Sequence, residues 1–120
     1  MKLSFGKMLK ILRVYNSETS IDMAKKLNMS VSYLSSIENS KRRIPDDFLQ
    51  KLFLAYDISK DKQEEFKKAA ELAQDEIIIK TKNLDTYKKE FALLCARKIE
   101  KLSDNQISEL INIIKIENGR

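Results

Sequence analysis

The chain has 120 residues, 42% apolar and 34% charged, with two glycines, one proline, one cysteine and no histidine. That length buries one modest core, or one core with a helical appendage, and so few turn residues exclude a sheet of hairpins, leaving an all-α fold. The net charge of +5 is lopsided, ten Lys and Arg facing six Asp and Glu through Asp57 but thirteen facing twelve from Ile58 onward, a placement that suits a phosphate-binding surface or a merely solvated helical one.

The first helix is expected from about Ser4 to Tyr15, with Phe5, Met8, Leu9 and Leu12 as its apolar stripe and Lys7, Lys10 and Arg13 facing away. Those three cations interrupt the apolar run, so no signal-peptide core or membrane span is expected there, nor later, and a cytoplasmic protein is. From Ser20 to Asn39, SIDMAKKLNMSVSYLSSIEN fits two short helices joined by a tight turn. Met23, Ala24 and Leu27 repeat at helical spacing, Asn28 and Met29 interrupt, and Leu34 and Ile37 resume on a second face. Thr19 or Ser20 suits the first N-cap and Ser30 the second. Ala24 is small where steeply crossing helices need it, and Asn28 tolerates the positive φ of a turn.

Ser40 to Ile44 reads as a basic loop, and Pro45 with Asp46 and Asp47 as a helix start. Phe48, Leu49, Leu52, Ala55 and Tyr56 give the inward face of the next helix. After a break at Asp57-Ile58-Ser59, a helix is expected over about Lys60 to Asp75, with Phe66, Ala69, Ala70 and Ala73 on one side. Ile77, Ile78 and Ile79 form a β-branched run that is either an extended linker or one strand of an intermolecular pair; the linker is preferred, because a lone strand has no partner in this chain. From Asp85 to Leu102, Tyr87, Phe91, Leu94, Cys95, Ile99 and Leu102 mark an amphipathic helix, and Ser103 caps a last one lined by Ile107, Leu110, Ile111 and Ile114. The domain reading is therefore 1–59, a helix and linker over 60–82, and a helical hairpin over 83–120. The hairpin either completes a monomeric core or meets a second copy. A second copy is preferred, through Phe91, Leu94, Ile99, Ile107, Leu110, Ile111 and Ile114.

The segment Ser20 to Asn39, with FGKMLKILRVY before it and SIENSKRRIPDDFLQKLFLAYDIS overlapping and following it, resembles the Cro/repressor-like, or XRE, family of bacterial and phage regulators. The resemblance runs from about Phe5 to Ser59 and includes Ile37-Glu38-Asn39 and Pro45 in register. It implies a lambda-repressor-like domain whose second motif helix enters the major groove of double-stranded DNA while the first lies across the backbone. The family usually has glycine where Asn28 and Ser40 stand, and Gln where Ser20 stands. Asn accepts the left-handed conformation easily and Ser less so.

By that resemblance the base-facing positions are Val31, Ser32 and Ser36, flanked by Tyr33 and Ser35. None offers the bidentate contacts of Arg, Lys, Gln or Asn, so direct readout is expected to be weak per subunit and specificity to lean on dimer spacing and DNA shape. Val31 has a packing role as its alternative. Ser20, Asn39, Ser40, Lys41, Arg42 and Arg43 are the expected phosphate contacts, and Glu38 is expected to fix the loop. The expected function is a sequence-specific regulator, a repressor or autoregulator of a phage or mobile-element operon, binding an inverted repeat as a homodimer. The alternative is a helix-turn-helix module that grips another protein, as an antitoxin-like partner or an inhibitor of a nucleic-acid enzyme. Without histidine, a cysteine pair or a Gly-rich phosphate loop, no enzyme, metal or cofactor is expected. Cys95, on the apolar stripe of its helix, reads as a buried structural thiol rather than a nucleophile.

Overall fold

The computed structural model describes residues 3–118, with side chains through 116. These residues form seven α-helices and no strand. In chain order the helices are α1 (Phe5–Tyr15), α2 (Ser20–Lys26), α3 (Val31–Glu38), α4 (Phe48–Ala55), α5 (Lys60–Leu72), α6 (Thr86–Lys98) and α7 (Asp104–Asn118), with a 3-10 turn at Ile99–Lys101. The chain divides into two units between Ile77 and Ile78.

Local chemistry sets the helix starts of the first unit. Ser4, Ser30 and Ser59 each accept a main-chain N–H of the first turn, from Lys7, Tyr33 and Lys62. Thr19, rather than Ser20, caps α2, in a reciprocal box with Asp22. The ends of α1, α2 and α3 share one device. Ser17, Asn28 and Ser40 adopt φ of 56°, 58° and 59°. Beyond each, the chain closes a Schellman pair: Glu18 and Ser17 donate to Arg13 and Val14, Met29 and Asn28 to Ala24 and Lys25, Lys41 and Ser40 to Ser36 and Ile37. The turn geometry that normally favours glycine is thus built three times without one.

The core of this unit fills with Leu9, Met23, Leu27, Leu34, Phe48 and Leu52, all fully buried, each stabilising by roughly 1.5–3 kcal/mol relative to exposure. Ala24 is 2% exposed and lets α2 and α3 approach. Phe5 stands edge-on to Phe48 at 5.7 Å and to Phe66 at 6.1 Å, so α5 closes the same core, burying Phe66 and Ala70. Gly6 is buried where α1 meets the end of α3. A Cβ there would lie 2.1 Å from the Glu38 carbonyl oxygen.

Several expectations are corrected. Arg13 does not face away: it is 9% exposed and its guanidinium grips the Glu38 carboxylate as a fork, with Nη2 to Oε1 at 3.2 Å and Nη1 on Oε2. A cation at the edge of the α1 stripe is drawn inward because a carboxylate there needs a partner. Pro45, Asp46 and Asp47 form a turn, closed by the Phe48 N–H on the Pro45 carbonyl at 3.0 Å, and α4 begins only at Phe48. Helix α5 ends at Leu72, leaving Ala73 exposed, and α6 ends at Lys98.

In the second unit Asp85 caps α6 through the Lys88 N–H, and Ser103 and Gln106 cap α7 reciprocally at 2.9 and 3.1 Å. Within residues 78–116 no residue is buried. Cys95 is half-buried rather than buried, as are Leu102 and Ile107. Phe91, Leu94, Ile99, Leu110, Ile111 and Ile114 are all at least 40% exposed. Ile77, Ile78 and Ile79 are exposed and lie outside any helix or strand.

Candidate nucleic-acid interface

Helix α3 presents two opposite faces. Leu34 and Ile37 are buried, and on the far side Val31, Ser32, Ser35, Ser36 and Asn39 recur at helical spacing as one outward strip. Val31, Ser32, Ser35 and Asn39 are exposed, whereas Ser36 is half-buried and its hydroxyl donates to the Tyr33 carbonyl at 2.7 Å. The Asn39 amide donates to Ser35 Oγ at 3.3 Å. Ser36 and Ser35 therefore reach any outside partner with part of their bonding capacity already engaged.

Tyr33 stands apart from the strip. Its ring is half-buried against the core, and the Arg42 guanidinium lies over it, 4.9 Å from the ring centroid. The left-handed Ser40 turns the chain back along α3, and the Lys41 N–H on the Ser36 carbonyl at 2.8 Å fixes that reversal. Lys41, Arg42 and Arg43 are exposed beside the strip's C-terminal end, and Arg43 loosely meets Asp46 at 3.8 Å. The expected base-facing and phosphate-facing residues from 31 to 43 thus lie side by side, with Tyr33 off the outward strip and beneath Arg42. Ser20 is half-buried at the first position of α2, on a different helix from this set.

Two polar clusters hold α3 and its neighbours in place, and sequence reading missed both. The Arg13–Glu38 fork ties α1 to the end of α3, with Met23 Sδ 3.4 Å from Arg13 Nη1. Its signal was a glutamate at the rim of an apolar helix face, which needs a cation from elsewhere. Glu18 receives Lys26 Nζ at 2.5 Å and the Tyr56 hydroxyl at 2.5 Å, and Lys26 also lies 4.6 Å from the Tyr56 ring centroid. The Lys26 ammonium, then the Tyr56 hydroxyl, hold the Glu18 carboxyl below its ordinary value. Burial, then Glu18, pushes the Tyr56 hydroxyl well above its own. Asp22 is likewise lowered, first by the Thr19 N–H and then by the Thr19 hydroxyl. No group of three or more carboxylates and thiols that could hold a metal occurs among the described residues.

Two short helices joined at a left-handed Asn28, the second carrying a polar outward strip and followed by a basic loop, define a DNA-binding helix-turn-helix. A helix-turn-helix family model matches residues 9–63. Residues 9–63 are thus a helix-turn-helix domain of the Cro/repressor-like, or XRE, type. Comparison with curated proteins and with solved structures returned no match. No described helix is long and apolar enough to cross a membrane.

Proposed function

We propose that this DNA-binding helix-turn-helix regulator is sequence-specific, acts in the cytoplasm as a repressor or autoregulator of a phage or mobile-element operon, and binds an inverted repeat as a homodimer. The observation that carries the reading is the outward strip of α3 flanked by the basic turn Lys41-Arg42-Arg43. The strip would meet base edges with a Val methyl and hydroxyls, while Asn39 to Arg43, with Ser20, would meet phosphates. The dimer is supported by the second unit, whose apolar side chains are capped into helices yet not buried; Phe91, Leu94, Ile99, Ile107, Leu110, Ile111 and Ile114 would form its interface. The half-sites of such a repeat are expected about one DNA turn apart.

The same exposed apolar faces favour a second reading, in which α6 and α7 grip a different protein. One pair of measurements separates the readings. The first is the solution mass of the whole chain and of a version ending at Ile77, a cut that retains Phe66 in the core. The second is retardation of duplex DNA from the protein's own upstream region at rising salt. A dimeric whole chain, a monomeric shortened one and salt-sensitive retardation are expected. Two monomers would remove the dimer and half-site reading together, and no retardation at any salt would leave the protein-binding reading.

A further inference from the structure

The position of Tyr33 carries an inference about the DNA-contacting surface, one that rests on the DNA-binding reading. We propose that Tyr33 is a positioning residue: it reads no base, and instead its ring holds the Arg42 guanidinium in place for a phosphate. The main chain of Tyr33 is fixed at both ends, its N–H by Ser30 Oγ at 3.0 Å and its carbonyl by the Ser36 hydroxyl. Its ring packs along the core rather than along the outward strip. Arg42 has no carboxylate within ion-pair distance among the described residues, and its guanidinium lies over the Tyr33 ring, 4.9 Å from the centroid.

A guanidinium held over an aromatic face by cation–π attraction keeps N–H groups available for a phosphate, and it has less freedom left to lose when the phosphate arrives. Its two neighbours differ. Lys41 is exposed and has no ring over its charge among the described residues, and Arg43 shares its field with Asp46 at 3.8 Å, an acid that repels the same phosphate. Arg42 is therefore the leading phosphate contact of the loop, and its effectiveness depends on Tyr33.

The test uses the full chain and a mixed-sequence duplex titrated with salt, together with the ring-current shift of the Arg42 side-chain protons in the DNA-free protein. Arg42→Ala should lower the salt slope by about one. Tyr33→Leu should weaken binding about two- to fivefold and abolish the ring-current shift, whereas Tyr33→Phe should leave both as they are. In the Arg42→Ala background, Tyr33→Leu should add nothing. Arg42→Lys, which leaves the core-packed ring untouched, should keep the charge but lose about the same two- to fivefold, so the proposal stays testable if Tyr33→Leu does not fold. Equal losses for Phe and Leu would give the role to the hydroxyl and overturn the proposal. So would an undiminished Tyr33→Leu effect without Arg42, or undiminished binding by Arg42→Lys. No salt-sensitive binding by the unaltered chain would remove the DNA reading itself, while the ring-current shift would still report the stack.

Discussion

The two units of this chain are matched in their helix signals and opposite in their interiors. Thr19 with Asp22 and Ser103 with Gln106 make the same reciprocal cap, yet described residues of the first unit bury fourteen apolar side chains and residues 78–116 bury none. The difference separates two kinds of information. Caps and apolar spacing act over one or two turns and suffice to form a helix. A core needs several helices whose apolar faces converge, and two helices on a short segment cannot supply that.

If the first unit owes its integrity to its interior, Arg13→Ala should strike hardest. It leaves Glu38 buried without its cation and should destabilise the first unit by about 3–5 kcal/mol, measured by urea unfolding. Loss below about 1 kcal/mol would mean that the fork behaves like a surface pair. In the other direction, Ser40→Gly removes a side chain from a left-handed position and should stabilise by about 1 kcal/mol. A loss instead would show that the Ser40 side chain contributes something its φ conceals.

The Glu18 cluster gives a pH signature confined to the same unit. The carboxyl is held below its ordinary 4.5, so its contribution is complete above about pH 4.5 and is lost as pH falls through the lower folded value. Tyr56, raised above 10.0, contributes fully below pH 10 and loses that contribution as pH rises toward its folded value. Glu18→Gln should flatten the acid limb of a stability profile, and an unchanged profile would show that the cluster does not govern it. Smallest of all, Leu94→Ser should shift the first unit's unfolding by less than about 0.5 kcal/mol, since the side chain is 55% exposed in the single chain. A larger shift would erase the contrast between the units.

The first-unit helices were legible because each depends on near neighbours. Ser4, Ser30 and Ser59 announce starts, Asn28 announces a turn, and Met23, Ala24, Leu27, Leu34 and Ile37 announce faces that the structure buries. Boundaries near proline were not legible: Pro45-Asp46-Asp47 has the composition of a first helical turn, but there it makes a separate turn before Phe48. The outward positions of α3 were named from the family resemblance, and Val31, Ser32 and Ser35 are exposed opposite its core face while Ser36 is half-buried. The direction of Tyr33 was not legible, because a ring at the edge of a helix face takes its direction from the core it packs against, and the Arg42 it meets is nine positions along the chain.

By itself the sequence determined that the chain is helical, that Ser20 to Asn39 is a helix-turn-helix, and that positive charge gathers just beyond it. Only the tertiary structure decided that Arg13 turns inward to Glu38, that Gly6 is required where α1 meets the Glu38 carbonyl, that α5 belongs to the first core, and that Arg42 rests on Tyr33. The physical reason is range. Caps and periodic faces are properties of four or five consecutive residues. Buried ion pairs, close backbone approaches and stacked cations join residues that only the packed helices bring together.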